Sequence, residues 1–112
     1  LVECINFTEN EIKKLGLKAP MVGHVGDGNF HAIIGYDPTK EGEYEKIRTL
    51  SNKLIDKTLE LEGTITGEHG IGLHKKAYLL KEHGDNIPLM KSIKRSIDQN
   101  NIMNPGKIFD LN

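Results

Sequence analysis

The sequence has no tryptophan, a single cysteine and only 5% aromatic residues. One cysteine, Cys4, cannot close an internal disulfide, which points to a reducing compartment. No stretch approaches the roughly 18 apolar residues of a membrane span, and no charged-then-apolar leader opens the chain. The expected location is therefore cytoplasmic. An excess of charge of one sign is missing too: 15 Lys and Arg stand against 16 Asp and Glu, a net charge of −1. That balance offers no electrostatic case for binding nucleic acid. There are no internal repeats and no low-complexity tracts. With 112 residues, 37% hydrophobic and 28% charged, the chain reads as one globular domain over 1–112, able to bury roughly two-thirds of its unfolded surface. It begins at Leu1 rather than Met and reads as a piece of something longer.

What the chain does have is glycine, 12 residues, clustered at 23, 26 and 28 and again at 63, 67, 70 and 72, with histidines among them. Around these clusters the local signals predict helices. Thr8-Glu9-Asn10-Glu11 reads as a capping box, with Ile12 and Leu15 as a short apolar stripe and Gly16 as a left-handed stop. Pro38 to Lys40 forms a turn into a long helix, about Glu43 to Leu61, with Ile47, Leu50, Leu54 and Leu61 on one face and Gly63 as its stop. Thr64-Ile65-Thr66 is β-prone. A short helix is expected from about Leu73 to Lys81, closed by Gly84. The last helix opens near Asn86 with Pro88 in its first turn. Its apolar stripe is Leu89, Met90, Ile93 and Ile97, with Lys91, Lys94 and Arg95 on the exposed face. Asn104-Pro105-Gly106 is a terminal turn.

From Met21 to Tyr36 the pattern is that of a hairpin. Asp27-Gly28 suits a two-residue type I′ turn. That turn would set Val25 opposite Phe30 and His24 opposite His31, with Val25, Phe30, Ala32 and Ile34 facing inward. The expected fold class is α+β, a small antiparallel sheet including this hairpin, packed against helices.

Directly opposed residues in an antiparallel pair have Cβ atoms about 4.5–5.5 Å apart, so His24 and His31 in that register could share one metal ion. The alternative is two surface histidines on a polar strand face. In Gly67-Glu68-His69-Gly70-Ile71-Gly72, the flanking glycines free Glu68 to turn toward a metal while His69 points elsewhere. Two histidines and one carboxylate leave coordination positions open, as catalytic sites do. The alternative for this loop is a flexible surface segment. His74 and His83 read as solvated. Gly26-Asp27-Gly28 lacks the third glycine and following helix of a dinucleotide fingerprint, and no P-loop occurs.

Three segments in order, Gly23-His24-Val25-Gly26-Asp27-Gly28-Asn29-Phe30-His31, Gly67-Glu68-His69-Gly70-Ile71-Gly72 and Met103-Asn104-Pro105-Gly106-Lys107-Ile108, resemble the C-terminal region of the FAD-linked oxidases. That group includes the glycolate oxidase flavoprotein subunit, the D-lactate dehydrogenases and D-2-hydroxyglutarate dehydrogenase. The resemblance covers residues 20 to 109 and is specific to the family but not to one substrate. It implies a cap portion of an FAD-dependent enzyme oxidising a D-2-hydroxy acid by hydride transfer to FAD. His24, His31 and Glu68 would correspond to ligands of a divalent metal, Zn or Mn, and His69 to the active-site base. Asn104 and Lys107 would lie near the flavin as cofactor-binding residues. FAD would be bound mainly by an N-terminal domain or subunit that this chain lacks, so the chain alone is expected to be inactive. In the full complex it could sit peripherally at a membrane, and its uncovered flavin-facing surface could drive homodimerisation.

Two other classes use the same residues. One is a free-standing metal-binding or partner-binding module without redox activity, favoured by the short length. The other is a metal-dependent hydrolase, in which a His-His-Glu site activates water; it leaves the Asn104–Ile108 segment unexplained.

Overall fold

The computed structural model describes all 112 residues. It contains four α-helices, a two-stranded antiparallel sheet and two short 3-10 turns, in agreement with the α+β expectation. The backbone groups into two compact units, Leu1–Gly63 and Thr64–Asn112.

The first unit opens with helix α1, Val2–Leu15. Thr8 is therefore not a cap but a mid-helix residue. Its hydroxyl donates to the carbonyl of Cys4 one turn back at 2.7 Å, and the residue is fully buried. Back-bonding of this kind lets a threonine sit inside a helix without an orphaned hydroxyl. Cys4, Thr8, Glu11 and Ile12 are the buried residues of α1, spaced as one helical face should be. Gly16 ends the helix in the left-handed conformation, φ 66°, as expected.

That face packs against α2, Glu43–Glu60, whose Leu50 and Ile55 are buried. Ion pairs flank the seam: Lys53 to Glu11 at 2.6 Å and Lys57 to Glu3 at 2.8 Å. Lys14 takes the other Glu11 oxygen at 2.5 Å. The hydrogen bonds from Lys14 and then Lys53 hold the Glu11 carboxyl below its ordinary range. A carboxylate in so buried a position is tolerable because both its oxygens are paired. The turn before α2 forms as expected, with the Asp37 carboxylate accepting from the Thr39 amide and hydroxyl.

α2 ends in a Schellman arrangement. Gly63 N–H donates to Thr58 O at 2.9 Å and Glu62 N–H to Leu59 O at 3.0 Å. The left-handed residue is Glu62, φ 58°, not the glycine. Gly63 is needed for another reason: a Cβ there would lie 2.9 Å from Thr58 Cγ2.

Between the helices run β1, Met21–Val22, and β2, His31–Ala32. The hairpin exists, but its register differs from expectation. Met21 pairs with Ala32 and Val22 with His31. The connection is not a two-residue turn but a longer loop containing a 3-10 turn, Val25–Asp27, closed by left-handed Gly28, φ 74°.

The second unit contains α3, Lys76–His83, a 3-10 turn Gly84–Asn86, and α4, Ile87–Ile97. α3 starts three residues later than the pattern suggests, because Gly72 to Lys75 form a turn. Gly84 is right-handed, φ −49°, and continues into the 3-10 turn rather than stopping the chain. Thr64–Thr66 is irregular, not a strand. α4 opens after Asn86 with Pro88 in its first turn, as expected, yet none of its residues is buried. Leu89, Ile93 and Ile97 are 62%, 51% and 75% exposed, so the predicted apolar stripe exists and faces outward. Buried apolar residues here are few, Ile65 and Leu79. No helix is long and apolar enough to cross a membrane.

Candidate functional site

His24 and His31 lie in the first unit at opposite ends of the hairpin loop. His24 precedes the 3-10 turn, and its carbonyl accepts from the amides of Asp27 at 2.8 Å and Asn29 at 3.2 Å. His31 is half-buried in β2, opposite Val22. The two histidines are therefore not cross-strand partners, and the argument that a tight turn sets them face to face does not hold. The cause is the loop: only Gly28 takes positive φ, whereas a type I′ turn needs it at Asp27 as well. The shift amounts to two residues, so alternation is kept. Phe30, Ala32 and Ile34 are half-buried as expected, while Val25 in the 3-10 turn is 60% exposed.

Gly23 fixes this geometry. A Cβ at that position would stand 2.4 Å from Asn29 O and 2.5 Å from Phe30 Cα, so the strands can approach here only around a bare backbone. An open groove of about 480 Å³ lies beside the hairpin, lined by apolar side chains including Ile5, Ile12, Met21 and Phe30. It carries none of the candidate metal or catalytic residues.

In the second unit, Glu68 and His69 sit in the glycine loop. The His69 amide donates to Thr66 O at 3.2 Å, closing a turn in which Gly67 takes φ 51°; Gly70 and Gly72 are also left-handed, φ 73° and 55°. These three positive angles explain the glycine density, since other residues resist that conformation. Both side chains are exposed, and His69 Nε2 lies 3.9 Å from Glu68 Oε1. Contrary to expectation, they share one side of the loop rather than diverging. His74 is exposed in the turn before α3. His83 is not simply solvated, because its Nε2 lies 3.3 Å from Glu82 Oε1. Glu82 also accepts the Ile65 amide at 3.2 Å.

Asn104 and Lys107 are the ends of one turn. Lys107 N–H donates to Asn104 O at 3.3 Å, with Pro105 and left-handed Gly106, φ 70°, between them. Proline then glycine at the central positions is the type II pattern, as expected from the sequence. The segment leading into the turn is held by a residue the motif reading missed, Asp98. Its carboxylate accepts the amides of Ile102 at 3.0 Å and Met103 at 2.9 Å and pairs with Lys94. The hydrogen bond from Lys94, helped by those two amides, holds it down at about 2. Lys94 also donates to Met103 O at 2.5 Å. The available signal was the Lys94–Asp98 spacing of four at a helix end.

Comparison with known proteins places the chain in a family. The family described as "FAD linked oxidases, C-terminal domain" matches residues 1–108. The chain is 42% identical over 112 residues to the probable mitochondrial D-lactate dehydrogenase of Danio rerio, covering 99% of this chain and 22% of that protein. It is 41% identical over 110 residues to the mitochondrial D-lactate dehydrogenase [cytochrome] of Kluyveromyces lactis, covering 97% and 19%. Over 88 residues it is 43% identical to the glycolate oxidase subunit GlcD of Bacillus subtilis, covering 78% and 19%. The chain thus spans about a fifth of the length of these relatives. With the family matched along nearly its whole length, this chain belongs to the FAD-linked oxidases, as their C-terminal domain.

Proposed function

We propose that the chain is the substrate- and metal-binding cap portion of an FAD-dependent oxidoreductase acting on a D-2-hydroxy acid of the lactate or glycolate type. The observation that carries this reading is the family match over residues 1–108, which contains all three motif segments in order. His24, His31 and Glu68 would hold a divalent metal, Zn or Mn. Two imidazole nitrogens and a carboxylate oxygen are a donor set that such ions accept, with positions left for substrate. When bound, the metal would supply Lewis acidity toward the substrate carboxylate and 2-hydroxyl, and FAD would supply the hydride acceptor.

His69 takes the 2-hydroxyl proton on an imidazole nitrogen as the Cα–H bond breaks. Its exposure in the loop leaves that nitrogen within reach of a substrate. Asn104 and Lys107, at the two ends of the type II turn, would contact the flavin. The exposed stripe of α4 and the neighbouring Ile102 and Met103, 77% and 60% exposed, would be covered by the FAD-binding domain or subunit.

The test is metal content and turnover of the full-length enzyme before and after chelation, beside His31→Ala. Stoichiometric metal, lost together with D-lactate or glycolate turnover on chelation and restored by Zn²⁺ or Mn²⁺, is expected. Full turnover in a metal-free enzyme would remove the metal from the reading.

A further inference from the structure

Ile108 is a β-branched residue held at φ 69°, a conformation in which such side chains are genuine outliers. Nothing about its side chain requires this, since Ile108 is 43% exposed. What the angle does is turn the chain beyond Ile108 away from the peptide plane whose amide donates to Gly72 O at 2.8 Å. Gly72 is the last residue of the loop that carries Glu68 and His69. We propose that the C-terminal segment Asn104–Asp110 is a strap that fixes this loop, with Ile108 as the positioning residue that grips it through its backbone.

Three further ties support a strap. The Lys76 ammonium, at the start of α3, donates to both carboxylate oxygens of Asp110 at 2.8 and 2.9 Å. Lys91 donates to Asn112 O at 3.3 Å, and Arg95 donates to Leu111 O. Beyond its contact with the loop, the tail is thus moored on both α3 and α4. A loop with left-handed glycines at 67, 70 and 72 has an unusually large conformational freedom to lose. A cross-tie at Gly72 removes part of that freedom before substrate arrives. Strained backbone persists only where the surroundings enforce it, and such positions gather at functional loops.

The proposal rests on the reading of His69 as base, and the experiment separates the two. Full-length holoenzyme is prepared as Ile108→Pro, which has no amide donor and cannot take positive φ, and as Ile108→Gly, which keeps the donor and relieves the strain. Hydrogen exchange of the 67–73 segment is measured with kcat, KM and flavin content. In Ile108→Pro the segment should exchange at least about tenfold faster. Its kcat should fall roughly ten- to a hundredfold below that of Ile108→Gly, with KM and flavin little changed. Ile108→Gly should keep the protection of the wild type. Unchanged exchange in the proline variant would overturn the strap. Equal loss in both variants would also overturn it, since the side chain rather than the backbone grip would then be responsible. If His69→Ala retains turnover while Ile108→Pro still frees the loop, the strap stands and the role of His69 falls.

Discussion

The two units are held together by different physics. In Leu1–Gly63, two long helices bury Cys4, Ile12, Leu50 and Ile55 between them, with ion pairs along the seam. In Thr64–Asn112, α4 buries nothing, and order comes from Asp98, Glu82 and Asp110 acting as polar anchors for backbone and lysines. The left-handed backbone is concentrated there too, at Gly67, Gly70, Gly72, Asn101, Asn104, Gly106 and Ile108. An apolar core fixes helices well but places few polar groups. A polar, glycine-rich unit can aim side chains at a ligand, at a cost in intrinsic stability. Glu68 and His69 belong to the second kind.

The sharpest way to break this contrast is to truncate a core residue of the first unit. Leu50 is wholly buried, so Leu50→Ala should cost about 2–5 kcal/mol in a urea melt. A cost near zero would mean that the helix seam is not what holds that unit. Next in size is Gly23→Ala. The added methyl meets Asn29 O and Phe30 Cα at 2.4 and 2.5 Å, and about 1–3 kcal/mol should be lost as the hairpin shifts. Altered amide shifts confined to residues 20–33 would localise the damage.

These two residues also show how unevenly the structure was legible. Leu50 falls in a helical stripe, and α2, Gly16, Pro88 and the Asn104–Lys107 turn were readable because each signal is local. The start of α1 was not. Thr8 has the composition of a cap, but the burial of its face against α2 decides the matter, and that partner lies some fifty residues away. The hairpin register was lost for a similar reason. Asp27-Gly28 favours a tight turn, while the hydrogen bonds of the His24 carbonyl to Asp27 and Asn29 close a longer one. In the site, glycine density and the identities of His69 and Glu68 were visible; the Asp98 anchor and the Ile108 grip depend on contacts that no period encodes.

Acid tests the polar side of the contrast. Asp98 has its folded pKa lowered from 3.8 to about 2, so its stabilisation is complete above about pH 4 and disappears as pH falls toward 2. Glu11 is depressed likewise from 4.5. Acid titration followed by exchange should release amides near Ile102 and Met103 over that window. Asp98→Asn should release them already at neutral pH and flatten the pH dependence there. The smallest expected effect is a gain. Glu62 occupies the left-handed end of α2, and Glu62→Gly should stabilise by about 0.5–1 kcal/mol in a thermal melt.

The central claim, that the loop of the second unit carries the reaction's base, is tested most directly by turnover of full-length His69→Ala with D-lactate and glycolate, read beside its flavin absorbance. A fall of about 10²–10⁴-fold in kcat with flavin retained is predicted. Turnover close to wild type in a fully flavinated variant would contradict it.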